Sequence, residues 1–589
     1  MSTVAEVAVP APEAETPAGR RFDRALWWDL AAAAGYVAMA LYVSFRVVAG
    51  VGTRLVNSVG GFDQVLFEWM LAHAARSVTH LENPFYTDRL NVPDGVNLMA
   101  NTSVLGLGIP MTPVTLLFGP HVSYVVVLVG SMAATAWAWY FLLSRHLVRS
   151  RVAAVLGGAF CAFAPGLIST AIHLHVLAQF LVPFIVLAVV RLREPGRSLR
   201  NGVILGLLVS YQTLIGEEIL LFTAMACGVF VVAWAVVRPA EAFPRLRPFA
   251  TGLGVAALVS VVLLAYPLYI QFLGPQHSRG LPFQPRILYA DLASYTAYAR
   301  ESIAGNAATS GPLVVNESEE TAFFGWPLVI FVVGIVVFLW REAMVRALAL
   351  TAAVFVLLSF GERIVVNGVD TGLAGPYRLF DGLPLMDLAI PTRLVFVVIP
   401  IVGILLALAA DRVTGAGSWR PLWIAAFAAV LVPVAPTPLP VVPAPQVPRF
   451  IADGAWRDYV ADGRTVVPVP LTRNRVAMTD GMAWSADTAV AFPIPRGYFI
   501  GPNGGPDRQA TFNPPPRPTS TLLERVATTG VVPEITDEQR RAAVEDLRFW
   551  RAGVVVLGPH PYRAQLAQTV DALLGPGRDV DDVRIWTVP

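Results

Sequence analysis

The ionisable side chains that could do chemistry are few and sit at the edges of apolar runs. Asp63 lies in Gly60-Gly61-Phe62-Asp63-Gln64, just after the first long apolar run, with Glu68 five residues on. His173 and His175 fall between two later runs, and Glu217 and Glu218 between two more. Glu317, Glu319 and Glu320 precede another, and Arg378 and Arg393 flank the loop that ends in Pro391-Thr392-Arg393. Charge at or inside a bilayer is costly unless water, a counter-ion or function meets it, so these positions are candidates for a site.

Each also has a plain reading. Asp63 follows a Gly-rich turn and suits a helix N-cap as well as a catalytic carboxylate. Glu68, beside Phe67 and Trp69, reads as a solvated helix face. His173 and His175, two apart, would point apart on a helix and make a poor metal pair, so interfacial hydrogen bonding is set against substrate contact. Adjacent Glu217 and Glu218 in a short turn need a cation or water, and one of them is expected to face a cavity. Arg393 can hold a phosphate bidentately or pair with one of those glutamates, and both options stand.

The elements that must position them are membrane helices. The chain has 589 residues, 55% hydrophobic and only 14% charged, with a formal net charge of +2. A soluble domain carries about a quarter charged residues, so an integral membrane protein is implied. The near-neutral charge argues against a nucleic-acid partner. All 43 basic side chains are Arg, which excludes Schiff-base and P-loop lysine chemistry, and Gly501 to Gly505 lacks the strand-loop-helix setting of a nucleotide site. Cys161 and Cys227 fall in apolar stretches and define neither a disulfide framework nor a thiolate metal site. The Ala/Pro/Glu-rich N-terminus shows no cleavable signal and reads as a disordered cytoplasmic tail over 1–26.

Apolar runs of near-spanning length occur at 27–49, 121–144, 152–169, 174–192, 201–216, 219–237, 248–272, 322–340, 343–360, 394–410 and 420–436. Segment 102–119, with Pro110, Pro113 and Phe118-Gly119-Pro120, is the twelfth. If it does not cross, the Arg-rich connections (Arg145/Arg149/Arg151, Arg191 to Arg200, Arg238 to Arg247, Arg341/Arg346 and Arg412/Arg420) share one face with Arg20, Arg21 and Arg24. The expectation is therefore an all-α polytopic bundle of about eleven spans over 27–436, with 102–119 re-entrant or surface-lying and a long external first loop over 50–120. The N-terminus is placed inside. A Pro-rich linker from Pro433 to Pro448 opens a small extracytoplasmic α/β domain over 437–589, where 465–470 and 554–557 read as strands and Thr536 to Gln539 as a capping box. Its aromatics (Trp456, Trp484, Tyr498, Phe512, Phe549 and Trp550) suit core packing or stacking on sugar rings.

This arrangement resembles the GT-C superfamily of multi-span glycosyltransferases, which take sugars from polyprenyl-phosphate donors. The resemblance covers about residues 25–435 and rests on Asp63 in a long first loop, the Pro110/Pro113 segment ending in Phe118-Gly119, and Pro84-Phe85-Tyr86 with Asn91-x-Pro93-x-Gly95, which look like those of actinobacterial members. Glu320 to Pro327 and Leu383-Pro384…Pro391-Thr392-Arg393 add to it. One departure stands out: many members have two adjacent acidic residues in the first loop, whereas Gln64 follows Asp63 here. No cofactor is expected, and a divalent metal is not indicated.

The resemblance implies a plasma-membrane transferase that moves a sugar from a polyprenyl-phosphate donor to a cell-envelope glycan or lipid acceptor on the outer face. Asp63 is the implied general base, with Glu217, Glu218, Arg393, Arg378, His173, His175 and Glu320 as substrate-binding candidates. Rival readings are a flippase of a lipid-linked sugar, against which no internal repeat symmetry is evident, and a non-catalytic membrane scaffold.

Overall fold

The computed structural model describes residues 18–57, 61–284, 287–380, 382–383, 385–413, 417–473, 478–513 and 515–588. Most of the expected N-terminal tail, together with Gly60 and Pro384, lies outside them.

Each apolar run carries helix, but the lengths differ. Among the described residues, six helices are long and apolar enough to cross a membrane: Ala25–Val48, Thr112–His146, Arg151–Ser169, Glu217–Val237, Pro239–Leu273 and Pro391–Val413. Others are shorter. The 174–192 run breaks into Leu174–Leu177 and Val182–Arg191 around Gln179, and Arg420–Leu431 has 12 residues, a rise of about 18 Å against a hydrocarbon core of about 30 Å. Length and composition support six spans among the described residues, and further apolar runs, such as Trp326–Phe338 and Ala343–Ser359, carry shorter helices.

Segment 102–119 forms a short helix, Leu105–Gly108, and then the first arm of Thr112–His146. Gly119, at φ 84° and ψ 169°, leaves the helical region, and Pro120 starts the second arm. A positive φ costs glycine little, and proline is tolerated in a first helical turn, so Gly119-Pro120 is a built joint. The first arm exposes Leu116, Leu117 and Phe118.

The first loop is a packed layer. Its helix Phe62–His80 buries Gln64, Glu68, Trp69, Met70 and His73. The expectation of a solvated face at Glu68 is therefore wrong: its carboxylate is 2% exposed, accepts a hydrogen bond from Gln64 Nε2 at 2.8 Å, and lies 3.0 Å from His121 Nδ1. A buried charge is retained because it is paired. Strand Arg54–Val56 pairs antiparallel with Val441–Pro443, so the Pro-rich linker is stitched to the loop that follows the first long helix.

The chain after 437 then divides. Residues up to about 500 pack against the first loop, with Trp69 Nε1 donating to Ser485 Oγ at 3.2 Å and Phe492 and Ile494 sharing one core with the spans. Thr465–Val469, from within that stretch, belongs to a four-stranded sheet ordered Arg578–Val580, Val583–Thr587, Ala552–Leu557 and Thr465–Val469, the last two parallel, and Val466, Val554 and Ile585 put one face of it in the same core. A second core of Val467, Leu523, Val555, Leu566 and Trp586 joins the sheet to its helices. Thr536 and Gln539 form a reciprocal cap on Asp537–Phe549. Trp484 and Trp550 are fully buried, while Phe549 lies against the Arg517 guanidinium.

Candidate functional site

Three parts of the chain converge on Asp63. The helix N-cap is Gly61 and not Asp63, which lies in the first turn with no capping hydrogen bond at that end. The carboxylate is thus free to face inward. Tyr498 Oη donates to Asp63 Oδ1 at 2.6 Å, and His173 Nε2 lies 3.3 Å from Oδ2. The Tyr498 ring is fixed edge-on to Phe62, 5.3 Å between centroids. Burial by itself raises the Asp63 pKa. The hydrogen bond and charge of His173, the Tyr498 hydroxyl and the field of Arg393 outweigh it and hold the carboxyl below its ordinary value. Tyr498, buried beside that anion, is pushed well above the ordinary phenol value and stays a donor.

His173 caps the short helix Leu174–Leu177. The two histidine rings are 5.8 Å apart and do not converge on a common point, and His175 lies against Phe67. The Nδ1 atoms of both histidines are buried without a hydrogen-bond partner. Gly216 lets the next loop close on this turn, since a Cβ there would lie 2.7 Å from the His175 carbonyl oxygen. That approach places the start of Glu217–Val237, and with it Glu218, beside this turn.

Arg393 takes the second option left open for it. Its Nη1 donates to Glu218 Oε2 at 2.7 Å, while Nε and Nη2 grip Glu319 at 3.0 and 2.5 Å. Both carboxylates and the guanidinium are largely buried, so the triad is an internal ion cluster. Beside it, the hydroxyls of Thr321 and Thr392 meet at 2.7 Å. Gly166 allows this packing, because a Cβ on it would stand 2.2 Å from the Thr321 carbonyl. Glu218 keeps one oxygen, Oε1, buried and unpartnered.

The other candidates fall outside this centre. Glu217 accepts from Gln271 Nε2 at 2.8 Å. Glu320 is fully buried and bound by Arg300, through Nε at 2.6 Å and the backbone N–H at 2.7 Å. Arg378 is exposed in the turn Pro376–Phe380 and joins none of these contacts. Sequence reasoning missed Tyr498 as a partner of Asp63, 435 positions away, and Glu319 as the main anchor of Arg393. The Glu317/Glu319/Glu320 cluster was a visible signal; nothing local marked Tyr498. Among the described residues, no group of three or more His, Cys, Asp or Glu is placed to hold a metal ion.

No family model matches the chain, and no curated protein matches it. Similar solved structures include the archaeal oligosaccharyltransferase AglB from Archaeoglobus fulgidus in complex with an inhibitory peptide and a dolichol-phosphate, at 10% identity and a TM-score of 0.44 over 91% of this chain and 70% of that one. ArnT from Cupriavidus metallidurans in the apo state is similar at 13% identity and a TM-score of 0.42, over 96% of this chain and 98% of that one. The likeness is loose. The site stands on its own geometry.

Proposed function

We propose that the protein is a polytopic membrane glycosyltransferase that moves a sugar from a polyprenyl-phosphate donor to a glycan or lipid acceptor, with Asp63 as the general base. The observation that carries this reading is a single buried carboxylate held ionised by a histidine and a tyrosine, in the field of Arg393, which binds a second carboxylate that keeps a free oxygen.

The acceptor hydroxyl attacks the anomeric carbon, and the bond from that carbon to the phosphate oxygen breaks. Phosphate leaves with the electron pair as a stable anion and needs little acid assistance. The acceptor proton passes to Asp63. A carboxylate of lowered pKa is a weak base towards a free alcohol, but the hydroxyl becomes strongly acidic as its oxygen bonds to carbon, so late proton transfer suits it. His173 and Tyr498 fix which way the carboxylate points. Glu218, oriented by Arg393, offers Oε1 to a second acceptor hydroxyl. In this reading residues 27–436 carry the reaction, and 437–589 stand on the outer face and supply Tyr498.

The test is transfer from a radiolabelled polyprenyl-phosphate sugar to a glycan acceptor by purified protein. Release of polyprenyl phosphate with label on the acceptor is expected. Donor that crosses between leaflets without turnover would replace this reading with a flippase.

A further inference from the structure

One cavity lies beside the Asp63 centre and takes no part in its contacts. It measures about 140 Å³, and its lining combines Asn57, Ser169, Glu301 and the Arg300–Glu317 pair with apolar residues that include Ile172 and Leu439. A cavity of roughly 150 Å³ accommodates one six-membered ring. Two of its lining residues adjoin site residues. Ile172 precedes His173, and the lining residue Val56 donates its backbone N–H to Gln64 Oε1 at 2.8 Å, one residue from Asp63.

The guanidinium on the cavity wall is already engaged. Arg300 gives Nη1 to Glu317 at 2.6 Å and Nε and its backbone N–H to Glu320. Glu301 is left over: no side-chain hydrogen bond or ion pair joins it among the described residues. Burial and the charge of Glu320 push its carboxyl up to about 7, with Glu317 adding to this and Arg300 and Arg46 opposing it. The lining offers two carboxyl groups, Glu301 and Glu317, and one guanidinium already bound to Glu317 and Glu320, so the donor phosphate is a poor occupant. A ring with hydroxyls on its edge and C–H groups on its face matches a pocket lined by both polar and apolar side chains.

We propose that this cavity is a saccharide subsite seating one ring of the acceptor, with the Glu301 carboxylate accepting hydrogen bonds from its hydroxyls. The ligand's identity as acceptor rests on the proposed function; the subsite itself does not.

Saturation-transfer NMR on the purified full chain, with neutral disaccharides of mannose, glucose, galactose and arabinose as probes, tests it without catalysis. One of these sugars should receive saturation in the unmodified protein. Glu301→Ala, which leaves the buried core untouched, and Ala171→Leu, which fills the cavity, should each reduce that signal at least fivefold. In transfer assays the same variants should raise the acceptor KM about tenfold and leave the donor KM unchanged. Saturation that is absent in the unmodified protein, or that survives both substitutions, overturns the subsite. Glu301-dependent binding in a protein that transfers no sugar would retain the subsite and remove the transferase reading.

Discussion

Two aspartates lie at opposite ends of the first long helix, and their partners differ in kind. Asp29, near its start, accepts from Tyr140 Oη at 2.8 Å, Arg145 Nη2 at 2.5 Å and Arg151 Nη1 at 3.2 Å. Asp63, beyond its end, also accepts from a tyrosine, but its nitrogen partner is His173. Guanidinium groups never release their proton in this setting, so two of them saturate Asp29 and leave it no proton-accepting role. An imidazole can be neutral or charged, and it engages only one oxygen of Asp63. Similar carboxylates thus serve as a structural clamp at one end and as a candidate base at the other.

The largest expected contrast is in activity. Asp63→Asn should lower sugar transfer by about 10²- to 10⁴-fold, the range of a general base, with membrane insertion unchanged. Asp29→Asn should leave transfer within a few-fold and cost about 1 kcal/mol or less in detergent unfolding, since its partners are partly exposed. Equal loss of transfer in both would erase the distinction.

Arg393→Gln comes next and acts on stability. It strands Glu218 and Glu319, both largely buried, and should cost about 3–5 kcal/mol. Adding Glu319→Gln should restore part of that loss, because the uncompensated charge goes with it. Thermal unfolding of the single and double variants measures the rescue. No recovery would mean that Arg393 acts through packing and not through its charge.

The parts of this comparison that were legible in the sequence are the local ones. Apolar runs announce helices because a bilayer-facing helix needs about 20 such residues, and Asp63 and Glu218 were conspicuous as acids between them. Glu68 was misread because its neighbours suggest an exposed face, whereas His121, 53 positions on, buries and pairs it. Tyr498 was invisible as a site residue because only the packing of the post-437 segment on the first loop carries its hydroxyl to Asp63. Six of the expected spans are long unbroken helices, and hydropathy does not register the break at Gln179 that divides another run.

Smaller effects separate the two partners of Asp63. Because His173 holds the Asp63 pKa down, His173→Ala should raise it. As the proposed base, Asp63 would work as the anion, so the rising acid limb of kcat/KM against pH should move to higher pH, with the largest loss of activity below neutrality. Tyr498→Phe should shift the limb the same way and lower transfer by about tenfold, the worth of one hydrogen bond to a charged group. A limb that stays in place in both variants would mean that Asp63 is not the group titrating.

The smallest effect belongs to Glu217, the neighbour of Glu218 on the same helix. Its contact is Gln271, with no arginine, and it lies outside the Asp63 and Arg393 clusters. Glu217→Gln replaces one hydrogen-bonding group with another of the same shape, so transfer should stay within twofold and stability within about 1 kcal/mol. Glu218→Gln should instead loosen Arg393 and disturb acceptor binding, seen as a rise in acceptor KM with donor KM unchanged. If the two variants behave alike, adjacency to the membrane and not the Arg393 contact explains why acids stand there. If they diverge, one residue step along a helix separates a supporting carboxylate from a functional one.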